Sequence, residues 1–458
     1  MELNILEVAQ RIGAEVIGSH SPVITGVSID SRQIQRGDLF VPLPGERVDG
    51  HDFIAQAQAK GAVASLVERG RQGNFPGLTL LVVEDNLTAL QQLAAYWRDQ
   101  LEVQVVAVTG SNGKTTTKDM VASILARLGP TVKNPGNYNN DIGLPLTLFQ
   151  ARKEHRFIVV EMGMRGLGEI SRLAAIARPH IGVVTNVGPV HLELLGSLTN
   201  IARAKGELIA ALPPDGWAVL NGDDPHVKAM AAQHKGQSLF FGLNSGQLKA
   251  QGIRQDGGGV AFTLCWEGEK ADVQLPLPGR HNVYNGLAAA GVGLTLGASL
   301  EDIRRGLATF EPSKMRMEVC PLPQGIVVLN DAYNASPLSM AAALDTLEDF
   351  PGEMKIALLG DMLELGPQGV ELHRQLGRQG AKIVDALITI GPLGREIAQG
   401  AKEAGLTRVE HCADHGEALE ILEKWAEPGS VILVKASRGM ALERVITPFI
   451  ARRSGHDG

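Results

Sequence analysis

The run VVAVTGSNGKTTTKDM, residues 105–120, limits the possible folds of this chain more than any other stretch. Its opening VVAV predicts a buried strand and KTTTKDM predicts a helix start. The glycines at 110 and 113 must therefore turn the chain from one to the other within a few residues. A strand that feeds directly into a helix belongs to a layered α/β fold with a parallel sheet. Backbone N–H groups at such a glycine-rich turn cradle phosphate, and the helix dipole adds to the attraction. The strict spacing G-x-x-x-x-G-K-[ST] fails here, because Val108 stands where the first glycine belongs. The alternatives are a shortened phosphate loop and an ordinary tight turn. A bare turn needs glycine but has no need of Lys114 followed by Thr115, Thr116 and Thr117, β-branched residues that are mediocre helix formers. In the nucleotide reading, backbone donors of Gly110, Ser111, Asn112, Gly113, Lys114, Thr115 and Thr116 wrap phosphates. Lys114 then reaches the β and γ oxygens and the Thr115 hydroxyl binds Mg²⁺.

One such layer does not exhaust 458 residues, which allow about three domains at roughly 150 residues each. Residues 1–83 carry short strand-like runs, LFVPLPG and ASLVE, and one helix pattern, DFIAQAQAKGA, and read as a small α/β domain. Residues 84–313 read as a central P-loop-type domain. QVVAVTG, FIVVEMG, IGVVTNVG and WAVLNGDD alternate there with helical stretches, the pattern of a mainly parallel sheet. The Gly-punctuated alternation of residues 247–279 predicts a few antiparallel strands. An Ala-rich helix follows near HNVYNGLAAAGVGL, and SLEDIRRGLATF opens on a Ser-x-x-Asp helix start. In residues 314–458 a second alternating series, GIVVLNDAYN, KIALLGDM, ALITIGP and VILVKAS, predicts a Rossmann-like α/β domain.

A net charge of −7 argues against a protein that coats nucleic acid. Cys265, Cys320 and Cys412 are far apart and odd in number, which suits a reducing cytosol and gives no disulfide framework. MELNILEVAQ lacks the regions of a signal peptide, and no apolar run is long enough to span a bilayer. The expectation is a cytoplasmic monomer acting on small molecules, without nucleic acid and without membrane insertion.

Several apolar runs end in a polar group: Lys114, Glu161, Asn186, Asp223, Asp331, Asp361 and Lys435. Loops are polar anyway, which explains any one of these positions. As a set in two strand series they favour a cleft between domains, because open α/β sheets bind ligands beyond the carboxyl ends of their strands. Glu161 is the natural carboxylate to join Thr115 on Mg²⁺. His191 in TNVGPVHLELLGS is ambiguous, since a lone histidine is usually structural and nothing nearby has zinc spacing. Lys205 in NIARAKGELIAAL sits in an amphipathic helix pattern, where most lysines face solvent. Asn282 and Asn285 stand one turn apart at a helix start, where amides can read a base edge; N-capping by Asn282 is the plain alternative. In NDAYNASP, Asp331, Tyr333 and Asn334 follow a buried strand and suit a ribose hydroxyl, a flat base and an amide contact.

Taken together, TGSNGKTTTK, VVEMGM, TNVGPVHLELLGS, ARAKGE, GRHNVYNGLAA, DAYNASP and LGDMLELG resemble the Mur ligases of peptidoglycan synthesis. GVSIDSRQIQRGDLFVPLPGERVDGHDF is similar to the N-terminal domain of the members that extend longer UDP-muramoyl peptides. The loop and DAYNASP are most similar to the last ligase of the series. The resemblance accounts for the missing glycine, since this family uses a compact T-G-x-x-G-K-T loop. It implies ATP on Gly110–Thr116, and Mg²⁺ held through Thr115, Glu161 and His191. It places Asn282, Asn285, Arg316, Asp331, Tyr333 and Asn334 on the nucleotide side. Ser31 and Arg32 match a uridine-nucleotide site, Asn139 and Asn140 a loop facing the UDP-sugar peptide. Lys435, Ser437 and Arg438 are similar to residues near the incoming amine and the γ-phosphate. Lys205 matches the lysine that several members carbamylate into a further Mg²⁺ ligand; the solvated helix lysine stays open beside it. The implied reaction is ATP-dependent addition of D-Ala-D-Ala to UDP-N-acetylmuramoyl-tripeptide through an acyl phosphate, with Lys114, Glu161, His191 and Lys205 at the chemistry. No D-N-P-R run marks a diaminopimelate-adding member. The preceding tripeptide-forming ligase, a folylpolyglutamate-synthetase-like ligase and a switch-type NTPase are the competing readings.

Overall fold

The computed structural model describes residues 1–18, 21–45 and 48–455. VVAV lies in the strand Gln104–Thr109, inside a nine-stranded sheet. Its neighbours are Phe157–Glu161 and Ile181–Val184, both parallel to it. Alternate side chains explain why the run is apolar throughout. Val106 and Val108 face the helices Lys114–Leu125 and Arg280–Thr295, joining a core with Val121 and Val283. Val105 and Ala107 face the other way, into a core with Leu90, Leu144, Leu173 and Leu208. A strand covered on both faces needs apolar residues at both parities.

Beyond Phe157–Glu161 the sheet ends in Thr131–Lys133. On the other side run Trp217–Asn221, Gln237–Gly242 and Leu248–Asp256, then Gly259–Trp266 and Glu269–Leu275. The last three pair antiparallel, as the glycine-punctuated alternation predicts. Gln104–Thr109 is flanked by strands that follow it in sequence on both sides, so its carboxyl end is a topological switch point where a crevice opens.

The first unit has a five-stranded sheet ordered Glu15–Ile17, Thr79–Val83, Ala64–Glu68, Asp38–Phe40, Gly26–Ser28. LFVPLPG is strand only as far as Phe40; Pro42 and Pro44 lack the N–H that a ladder needs. The third sheet runs Glu318–Pro321, Val327–Asn330, Ser430–Lys435, Met354–Gly360, Ala386–Ile390, Val409–Cys412, and only its first pair is antiparallel. The fold is α/β in three domains. Helix Asn86–Asp99 packs on Ile5–Ile12 of the first unit and on Gly143–Leu148 and Glu169–Ala177 of the central one. The predicted Ser-x-x-Asp start is a full capping box, Ser299 and Asp302 bonding each other's backbone. Among the described residues no helix is long and apolar enough to cross a membrane.

Candidate active site

The turn after Gln104–Thr109 requires both of its glycines. Gly110 has φ 147° and Gly113 φ 80°, and a Cβ would collide with Thr185 Oγ1 at the first and Asn285 Oδ1 at the second. The loop is clamped from the neighbouring strand. Ser111 N donates to Asn186 O at 2.9 Å, Asn112 N to Asn186 Oδ1 at 2.9 Å, and Thr185 Oγ1 to Asn112 O at 2.6 Å. The amides of Ser111 and Asn112, two of the expected phosphate donors, are thus bonded to Asn186, just past the strand Ile181–Val184. The helix's unsatisfied positive end lies in its first turn, from Lys114 to Thr116.

Lys114 Nζ curls over the loop, donating to Gly110 O at 2.9 Å and Ser111 O at 3.3 Å. Burial holds its pKa below the ordinary lysine value; Glu161 pulls it up and Arg316 pushes it further down. Thr115 Oγ1 donates to Glu161 Oε2 at 2.6 Å, and Asn139 Nδ2 donates to Glu161 Oε1 at 2.7 Å. The Glu161 backbone is fixed in turn, its N donating to Asn134 Oδ1 at 2.8 Å, while buried Lys118 donates to Asn134 O at 2.8 Å. Nothing in the sequence signals Asn134, because its role is set by a partner across a strand pair.

Lys114, Thr115, Asn139, Glu161 and Arg316 line one cavity of about 960 Å³ between the central and C-terminal sheets. Of the seven strand-end groups, Lys114, Glu161, Asn186, Asp331 and Lys435 reach it; Asp223 and Asp361 do not. Asp223 instead accepts the amides of Leu243, Asn244 and Ser245, and Asp361 that of Gly394. Asn140 lines the cavity and accepts from Gly143 N, at the start of the next helix, at 2.9 Å.

Lys205 is the largest departure from its plain reading. It lies in helix Leu198–Ala210 but is only 2% exposed, on the cavity wall. Among the described residues no carboxylate pairs with it. Burial drives its pKa well below the ordinary lysine value, and nearby Lys114 adds to the effect. His191, at φ 52°, bonds through Nδ1 to Glu364 of the C-terminal unit, a partner no motif announced. Burial lowers the pKa of His191 against the pull of Glu364, and Lys114 and Lys205 act in the same direction as burial.

On the C-terminal wall, the Arg316 guanidinium lies 4.1 Å from the centre of the Tyr333 ring. Met315 and Met317 on either side of Arg316 both hold positive φ. Asp331 is bonded within the protein: Oδ1 accepts from Met317 N at 3.0 Å and Oδ2 from Lys435 Nζ at 2.6 Å. Lys435 also donates to Asn334 O at 2.8 Å. Breaking one side of such a buried pair costs about 3–5 kcal/mol. His281, which sequence reasoning passed over, lines the cavity beside this pair; burial pushes its pKa down to about 4, against Asp331 and with Lys435. Ser437 Oγ accepts from Leu363 N at 2.9 Å, and exposed Arg438 donates to Glu443 at 2.7 Å.

Two expected contacts take another form. Asn282 is not an N-cap: Gly279 holds that place, and Asn282 Nδ2 donates to Pro278 O at 2.6 Å. Asn285 Nδ2 donates to Asn282 Oδ1 at 2.9 Å and its Oδ1 accepts from Thr117 at 3.3 Å. Both amides border the cavity while tying the loop helix to its neighbour. Ser31 and Arg32 lie outside the cavity, on the first unit. Ser31 Oγ donates to Gln56 at 2.7 Å, and Arg32 folds onto Asp30 at 2.9 Å.

The donor set suits magnesium. A hydroxyl and a carboxylate stand together at the loop, and among the described residues no three His, Cys, Asp or Glu side chains form a cage. Mg²⁺ takes one or two protein oxygens and completes its shell with phosphate and water.

Family models agree with this architecture. The Mur ligase middle domain matches residues 108–293, the Mur ligase glutamate ligase domain residues 315–438, and the Mur ligase catalytic domain residues 23–98. The chain belongs to the Mur ligase family. Among its relatives, the UDP-N-acetylmuramoyl-tripeptide–D-alanyl-D-alanine ligase of Bacillus subtilis is 39% identical over 432 residues, 93% of each chain. The crystal structure of MurF from Acinetobacter baumannii superposes with a TM-score of 0.90 at 34% identity, covering 98% of this chain and 99% of that one. MurF from Thermotoga maritima in complex with ADP gives 0.85 at 30% identity, covering 94% and 98%.

Proposed function

We propose that this chain is an ATP-dependent amide ligase that joins D-alanyl-D-alanine to UDP-N-acetylmuramoyl-tripeptide in the cytoplasm. The observation that carries the reading is the Thr115–Glu161 pair beside Lys114, in a cavity walled by two domains. The full-length similarity to ligases named for this reaction supports the choice of substrates. Residues 1–83 hold the UDP-sugar peptide, residues 84–313 the ATP, and residues 314–458 admit the dipeptide, the working unit being a monomer.

A carboxylate and an ammonium form no amide unaided, so the acid must first gain a leaving group. The terminal carboxylate of the tripeptide attacks the γ-phosphorus of ATP in line, forming an acyl phosphate and releasing ADP. The free amine of D-Ala-D-Ala then attacks the carbonyl carbon; a proton leaves nitrogen and phosphate departs. Lys114 and the first-turn amides of its helix offset charge on the transferring phosphoryl group, and Arg438 approaches it from the other wall. Mg²⁺, held by Thr115 and Glu161 with His191 close by, would supply charge neutralisation between phosphate and carboxylate. Arg316 and Tyr333 form a stacked platform for a flat base. Asn139 holds Glu161 in place and, with Asn140, faces the sugar-peptide side. Closure of the two walls over the substrates would exclude water and so protect the acyl phosphate from hydrolysis.

Phosphate release measured with each substrate in turn tests the reading. Release is expected only when ATP, the UDP-tripeptide and D-Ala-D-Ala are all present. Release with ATP alone would make the protein a switch-type NTPase, and release driven by a pterin substrate would make it a folate-type ligase. Arg32→Ala checks the uridine site. The Arg32 side chain is exposed and its guanidinium bonds neighbouring Asp30, so its loss costs the fold little. A charge-assisted hydrogen bond worth about 1.5–3 kcal/mol corresponds to about 10–100-fold weaker UDP-tripeptide binding. Calorimetric titration should show that loss with ATP affinity unchanged; equal losses in both would misplace the site.

A further inference from the structure

Glu364 belongs to the C-terminal domain yet meets three groups of the central one. Its Oε2 bonds His191 Nδ1, its Oε1 lies 3.3 Å from Arg165, and its carbonyl accepts from Glu193 N at 3.4 Å. The loop that carries it is pinned on its own side. Met362 N donates to His373 at 2.8 Å, Leu363 N to Ser437 at 2.9 Å, and Ser437 N to Asp361 O at 2.9 Å. Glu364 and His191 both hold a left-handed backbone, φ 62° and 52°, which is uncommon outside glycine. Such conformations persist where the surroundings over-determine them, and they concentrate at functional sites.

We propose that Glu364 is a positioning residue for ligation: from the C-terminal domain it fixes the tautomer and orientation of His191, whose other nitrogen serves the phosphate cavity. A carboxylate oxygen accepts, so Nδ1 carries the proton and Nε2 keeps a free lone pair. Histidines that ligate metals are held in this way by an outer carboxylate, and losing that partner typically weakens metal binding about 10–100-fold. The domain that admits the dipeptide therefore orients a metal-side group of the domain that binds ATP. His191 is correctly presented only while the two domains are together. Arg165 donates to the second carboxylate oxygen at 3.3 Å.

The inference rests on the metal role of His191, and one experiment separates the two. Mn²⁺ binding to the full chain in the presence of ADP, followed by electron paramagnetic resonance, is compared across His191→Ala, Glu364→Ala, Glu364→Gln and the His191→Ala, Glu364→Ala double variant. Glu364→Ala should weaken Mn²⁺ binding about 10–100-fold. The double variant should be no weaker than His191→Ala, because one group acts through the other. Glu364→Gln keeps an acceptor oxygen and should restore most of the affinity, which a merely structural defect would not allow. Unaltered binding in His191→Ala overturns the metal role and this proposal with it. Weakened binding in His191→Ala beside unaltered binding in Glu364→Ala, or losses that add in the double variant, overturns the positioning role alone.

Discussion

Replacing Lys114 with alanine should lower kcat for ligation by about 10³-fold, the upper range for removing one preorganised donor from a developing anion, while leaving the fold standing. The two halves of this expectation come from different bonds. For stability, Lys114 contributes donations to Gly110 O and Ser111 O, neutral acceptors on its own loop, and an attraction to Glu161 that burial outweighs. Its burial holds its pKa down, so the charged form is disfavoured where it sits and removing it relieves a desolvation cost. The loop shape depends on Gly110, Gly113 and the clamp from Thr185 and Asn186, none of which the substitution touches. A thermal melt should therefore stay within a few degrees of the unaltered protein, about 1 kcal/mol or less. For catalysis, no other cation of the loop can replace it: Lys118 is buried against Asn134 O and Asp119. Turnover within tenfold of normal, measured as phosphate released with all three substrates, would remove the loop from the reaction.

What could be read in advance follows from how local each cause is. VVAV and its two glycines gave the strand, the turn and the helix correctly because sterics and burial act there within a dozen residues. The Ser299 capping box was legible for the same reason. Strand-end polarity found the cavity but could not sort its own members. Asp223 and Asp361 follow apolar runs just as Asp331 does, yet their carboxylates take up backbone amides from loops distant in sequence. Asn282 and Asn285 were placed correctly at the helix start and border the cavity, but their amide bonds run to Pro278, to Thr117 and to each other. Glu364 stood inside a quoted motif with no sign of its purpose, since its partner His191 lies in another domain. Exposure was the property read least well. A lysine in an amphipathic helix gives no hint that its side chain is buried on a cavity wall, as that of Lys205 is.

Lys205→Ala should cost roughly 10²-fold or more in ligation rate, the size expected when a fixed charge leaves a catalytic cavity, and short carboxylic acids should restore part of it. A buried ammonium without a carboxylate partner, beside a second lysine, is an unstable arrangement. Burial and Lys114 both shift the balance toward the neutral amine, and a neutral amine adds CO₂: nitrogen bonds to the carbon and a proton leaves, giving a carbamate. The site then carries −1 where a protonated lysine would carry +1. Repulsion from Lys114 becomes attraction, and an anion is available to hold a metal beside the phosphates. Alanine at this position leaves room for formate or acetate to take the carbamate's place, so rescue should saturate with acid concentration and fail with neutral amides of the same size. Because the wild-type lysine must be deprotonated before CO₂ can add, carbamylation should fall as pH drops below the depressed pKa, whereas the acid-rescued variant has no such step. Isotopically labelled CO₂ gives a direct reading, a carbamate carbon signal in the native protein that disappears in Lys205→Ala. If that signal is missing and neither acid restores turnover, Lys205 works as an amine and the extra anion must be sought elsewhere.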